Sequence, residues 1–87
     1  MRGRIEHALG LVPGVDEASV LHSSRDGLSL IVAVLASRSG LTAETVRKEV
    51  ASLVPPYMVP GRIHVLHQLP KNANGKIDRN LLKERYR

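Results

Sequence analysis

The sequence predicts an α+β domain in which helices pack on a small, largely antiparallel three-stranded sheet, in the order αββαβα. Three observations lead there. Apolar residues recur at helical spacing in three separate segments, each bounded by a cap or a breaker. Three β-rich runs lie between them. No internal repeat or low-complexity linker interrupts the 87 residues, so all of 1–87 reads as one small domain.

In 4–12, Ile5, Ala8, Leu9 and Val12 share one helical face, and Pro13-Gly14 stops the helix. Residues 15–22 then read as a strand, with Ala18 and Val20 on one side and Glu17 and Ser19 on the other. SSRDG is expected to be a hairpin loop, and LSLIVAVLA a nearly all-apolar strand that belongs in the middle of a sheet. Ser39-Gly40 breaks the chain. Thr42 is placed to cap a helix reaching about residue 54, with Val46, Val50 and Leu53 inward and Arg47, Lys48 and Glu49 outward, until Pro55-Pro56 ends it. Tyr57 and Met58, within PPYMVP, are expected to anchor the connection in the core. RIHVL gives the third strand, LPKNANGK a loop, and Asp78 an N-cap for a last helix carrying Leu81, Leu82 and Tyr86.

Composition narrows the function classes. With 43% hydrophobic and 24% charged residues and no apolar run near 20 residues, nothing here reads as a membrane span. The basic start MRGRIEHALG has no apolar segment or small-residue cleavage site behind it, so it is not read as a signal peptide, and a cytoplasmic setting is the default. The absence of cysteine excludes disulfides, thiolate metal sites and thiol nucleophiles. A net charge of +5 favours an anionic partner, although the basic residues form no block of five or more.

The strongest turn signal is Asn74-Gly75, since both residue types tolerate positive φ. It is followed at once by Lys76. Taken alone, this reads first as a loop tip with a solvated lysine, and only second as a turn that presents an ammonium group on a stiff base to an anionic centre.

The wider pattern weights the second reading. GRIEHALGLVPGVDEASVL, VPPYMVP and LPKNANGKIDR, in this order and with these separations, resemble the C-terminal subdomain of the adenylate-forming enzymes: acyl-CoA synthetases, nonribosomal peptide synthetase adenylation domains and luciferase. The resemblance covers nearly the whole chain, and its last motif is the most specific part. It implies a lid subdomain of an enzyme that activates a carboxylate with ATP to an acyl-adenylate and pyrophosphate, and then passes the acyl group to coenzyme A or phosphopantetheine. ATP and Mg would be bound mainly by a large N-terminal adenylation domain, in cis or in trans. An acyl or peptidyl carrier protein is a further implied partner. By match to the motif, Lys76 is the catalytic lysine that reaches the substrate carboxylate and the α-phosphate oxygens, on the positioning turn Asn74-Gly75.

Departures from the family pattern are also legible. Counting back from Pro13-Gly14-Val15 aligns Gly3 to Glu6 with the segment that opens the family's first helix, Arg4 replacing a glutamate. The family's hinge residue and its thioester-facing loop are therefore expected to be missing. Asn72 stands where the family often has threonine, Lys71 is a common variant, and both are expected to be solvated loop residues.

Weaker candidates remain. His64 and His67 lie three apart in or near a strand and should point to opposite faces, against a shared metal. His22, Ser23, Ser24 and Asp26 have the residue types of a hydrolytic triad, but near neighbours on a hairpin seldom converge. Two further functions stay open. A non-catalytic module could dock a carrier protein or a large domain. The charge also permits nucleic-acid binding, against which stand an aromatic content of 2% and the lack of Phe and Trp to stack on bases.

Overall fold

The computed structural model describes residues 2–25 and 27–86. Helix α1 spans Arg2–Gly10, strands β1 and β2 span Glu17–Arg25 and Leu28–Ala36, helix α2 spans Ala43–Ala51, strand β3 spans Arg62–Leu66 and helix α3 spans Arg79–Tyr86. A single 3₁₀ turn, Pro56–Met58, lies between α2 and β3.

The strand order is β1-β2-β3, so the apolar LSLIVAVLA strand is central, as its composition requires. Its side chains alternate between two cores. Ala33 and Leu35 join Ile5, Ala8, Leu9, Val46, Val50 and Met58 beneath α1 and α2. Val32, Val34 and Ala36 face the other way, onto Leu21, Leu69 and Leu82, with Ile77 and Tyr86 packed alongside. A strand covered on both faces has no polar side to show, which is why period-2 alternation is missing from its sequence.

β2 pairs antiparallel with β1, from Glu17↔Ala36 to Arg25↔Leu28, and parallel with β3, from Val32↔Arg62 to Ala36↔Leu66. The sheet is thus mixed, with the longer ladder antiparallel. A parallel neighbour demands a crossover, and α2 supplies it. Arg47 holds that crossover down: its guanidinium donates from Nη1 to the Pro60 carbonyl at 2.6 Å and from Nη2 to the Gly61 carbonyl at 3.3 Å.

Several boundaries differ from the expectation. β1 runs on to Arg25, so Ser23 and Ser24 sit in the ladder opposite Leu30 and Ser29 instead of in a loop. Gly27, just before β2, takes φ 77°, a conformation that glycine adopts without strain. α2 ends at Ala51, which takes Leu53 off the apolar face and leaves it 47% exposed. Tyr57 is likewise out of the core at 68% exposure, while its neighbour Met58 is buried at 1%. A single tight turn cannot aim two consecutive side chains at one core. Arg47, expected to face solvent, is the crossover anchor instead. Both expected caps are present: Thr42 Oγ1 accepts from the Thr45 N–H at 3.1 Å, and Asp78 Oδ1 from the Leu81 N–H at 3.1 Å. Among the described residues, no helix is long and apolar enough to cross a membrane.

Candidate functional site: the hairpin that carries Lys76

Residues 69–78 form a short arm between β3 and α3. At its base Leu69 is buried in the second core and the Pro70 carbonyl accepts the Asp78 N–H at 2.9 Å. Lys71 and Ile77 pair as an isolated antiparallel bridge. Beyond them the Asn72 N–H donates to the Lys76 carbonyl at 2.7 Å, and the Gly75 N–H returns to the Asn72 carbonyl at 3.0 Å. Gly75 adopts φ 78°, a left-handed conformation costly for residues with a Cβ. The sequence Asn-Ala-Asn-Gly therefore closes a hairpin whose last turn residue must be glycine.

Two side chains brace this arm. Lys71 Nζ forms an ion pair with the Glu17 carboxylate, tying the arm to edge strand β1. Asn72 Oδ1 accepts both the Asn74 N–H at 2.9 Å and the Lys76 N–H at 3.1 Å. Lys71 and Asn72 are exposed loop residues, as expected, and carry these contacts in addition.

Strand alternation then decides where Lys76 goes. Ile77 turns in to pack on the second core, so Lys76 turns out and is exposed. Its ammonium has no hydrogen-bond or ion-pair partner among the described residues. What results is a cation on a well-braced hairpin, free to meet an anion brought from another surface.

A second constellation sits where the arm enters α3. Arg79 Nη1 donates to Glu6 Oε2 at 3.0 Å and to the hydroxyl of buried Ser19 at 3.0 Å, and Nη2 donates to Glu6 Oε1 at 3.4 Å. Glu6 Oε2 also accepts the outward N–H of Val20, which no neighbouring strand can take because β1 is at the edge. The cluster thus pins α1, β1 and α3 together. Reading the sequence alone missed it: Arg79 lies within the quoted motif, but nothing in a single sequence links it to a carboxylate 73 positions away.

The remaining candidates do not converge. His64 meets Tyr86 in a tilted ring contact with centroids 4.7 Å apart, whereas His67 is exposed beyond the end of β3. His22 is exposed and Ser23 buried, on opposite faces of β1, while Asp26 lies outside the described residues. Among the described residues no group of three or more His, Cys, Asp or Glu could hold a metal ion.

Comparison with known proteins agrees with this architecture. Residues 4–76 match the model of the AMP-binding enzyme C-terminal domain, a match that ends on Lys76. Phenyloxazoline synthase MbtB of Mycobacterium tuberculosis is 42% identical over 79 residues, covering 88% of this chain and 5% of that protein. Delta-poly-L-ornithine synthetase of Acinetobacter baumannii is 33% identical over 87 residues, covering 95% of this chain and 6% of that protein. Among solved structures, the four-domain nonribosomal peptide synthetase holo-AB3403, bound to AMP and glycine, superposes with a TM-score of 0.82 at 31% identity, over 91% of this chain and 6% of that one. A benzoate CoA ligase from Burkholderia xenovorans gives 0.79 at 29% identity, over 93% of this chain and 18% of that one. This chain thus spans a small fraction of each of these proteins. With its mixed three-stranded sheet and three helices, the chain belongs to the family of C-terminal domains of AMP-binding, adenylate-forming enzymes.

Proposed function

We propose that this domain is the lid of an ATP-dependent carboxylate-activating ligase, of the acyl-CoA synthetase or peptide synthetase adenylation type, and that Lys76 is its catalytic residue. The observation that supports this most is the exposed ammonium of Lys76, unpaired among the described residues, on a hairpin whose backbone is fixed on both sides. In this reading the large adenylation domain binds ATP, Mg and the acid, and this domain closes over them. Coenzyme A or the phosphopantetheine of a carrier protein is the acceptor in the complete enzyme.

The chemistry needs such a cation. A carboxylate oxygen bonds to the α-phosphorus of ATP while the bond from that phosphorus to the bridging oxygen breaks and pyrophosphate leaves. Both reactants are anionic, and charge gathers on the phosphoryl oxygens in the transition state, so an ammonium placed between them lowers the barrier. Lysine suits the task because its charge is compact and its stem flexible. Asn74 and Gly75 form the turn that presents it.

The test is Lys76→Ala in the full-length enzyme, read by substrate-dependent pyrophosphate release. A loss on the order of 10² to 10³ in rate with an unchanged melting temperature is expected. An undiminished rate removes Lys76 from the reaction and leaves a docking role for the domain, to which the exposed Leu11 and Leu53, beside Arg4 and His7, offer an apolar surface.

A further inference from the structure

Asn72 is exposed, yet four hydrogen bonds at the tip of the hairpin converge on it. Its backbone N–H donates to the Lys76 carbonyl at 2.7 Å and its carbonyl accepts from Gly75 at 3.0 Å. Its side-chain Oδ1 accepts from Asn74 at 2.9 Å and from Lys76 at 3.1 Å. Both backbone polar groups of Lys76, its N–H and its C=O, thus end on one residue.

This has a geometric consequence. With its N–H and C=O both bound, the backbone of Lys76 cannot rotate without losing a hydrogen bond, so the direction of its Cα–Cβ bond is set by Asn72. An Asn at the first position of a turn is suited to this, because its amide oxygen can replace the strand partner that N–H groups inside a tight loop lack. The neighbouring pair Lys71–Glu17 then references the whole hairpin to the edge of the sheet.

We propose that Asn72 is a positioning residue for Lys76: its side-chain oxygen aims the ammonium group without touching substrate. The proposal rests on the reading of Lys76 as the cation delivered to the reacting groups. Aim matters there because a misplacement of about 1 Å can cost on the order of a hundredfold in rate.

The test uses the full-length enzyme in five forms: parent, Asn72→Ala, Asn72→Thr, Lys76→Ala, and the Asn72→Ala Lys76→Ala double variant. Adenylation kcat, KM for ATP and for the acid, and melting temperature are measured for each. Asn72→Ala is expected to lower kcat at least about tenfold with each KM within about twofold. Asn72→Thr keeps an uncharged oxygen able to cap the same turn and is expected to recover most of the loss. On the Lys76→Ala background, Asn72→Ala should change nothing further, because a residue acting through Lys76 has nothing left to aim. The same loss with and without Lys76 would show a structural role and overturn the proposal, as would a parental kcat in Asn72→Ala. Undiminished adenylation in Lys76→Ala overturns the reading of Lys76 itself, and positioning with it. Should Asn72→Ala fail to fold, Asn72→Leu, which keeps the side chain's shape without its oxygen, takes its place with the same expectations.

Discussion

Arg79 and Glu6, 73 positions apart in the sequence, meet with Nη1 donating to Oε2 at 3.0 Å and Nη2 to Oε1 at 3.4 Å. This two-pronged pair locks the helix that follows the Lys76 hairpin onto the first helix of the domain, and the same carboxylate caps the Val20 N–H of the edge strand. The lysine arm is therefore anchored at its far end by a residue of its own motif.

Glu6→Ala leaves the Val20 N–H and the Arg79 guanidinium without this acceptor and is expected to destabilise the domain by about 1 to 3 kcal/mol. Glu6→Gln keeps an acceptor oxygen for Val20 and should cost clearly less. Urea unfolding of the two variants checks the order, and equal losses would show that the backbone contact contributes nothing.

Gly75→Val should cost about 1 to 3 kcal/mol, because a β-branched residue is strained at φ 78°. No atom lies within 4 Å of a Cβ built there, so conformation rather than a clash is the cause. The variant should also slow adenylation in the complete enzyme by re-aiming Lys76. Parental stability would show that the turn relaxes to another form.

Thr42→Ala removes the oxygen that accepts the Thr45 N–H and is expected to lower stability by about 0.5 to 2 kcal/mol, with Thr42→Ser largely restoring it. Thermal unfolding of both variants reads the difference.

Leu35→Ala and Tyr57→Ala make an opposed pair. Leu35 is fully buried in the centre of the sheet, and its truncation should cost about 2 to 5 kcal/mol. Tyr57 is 68% exposed, and its truncation should stay within about 0.5 kcal/mol. A large loss at Tyr57 would restore it to the core.

The isolated chain is expected to be folded and to bind ATP no tighter than millimolar, since one exposed lysine on a hairpin cannot offset the entropy of holding a nucleotide. Titration calorimetry measures this directly, and a micromolar dissociation constant would place nucleotide binding in this domain. Mixed with a truncated large domain, the chain should restore adenylation only at high concentration, because separation removes the millimolar effective concentration of a tether.

Local chemistry determined much of this protein. The helical spacing of Ile5, Ala8 and Leu9, the caps at Thr42 and Asp78, the central position of LSLIVAVLA and the Asn-Gly turn before Lys76 were all legible, because each depends on residues within a few positions of one another. Where such signals ran out, tertiary structure decided. A parallel or an antiparallel partner for RIHVL depends on how the crossover returns, which five residues do not encode, and Tyr57 and Met58 differ only in which way a 3₁₀ turn aims them. The Arg79–Glu6 pair and the Lys71–Glu17 brace join residues 73 and 54 positions apart. Such contacts exist only once the sheet has brought its edge strand, first helix and last helix together, so no pattern within a window of the sequence announces them.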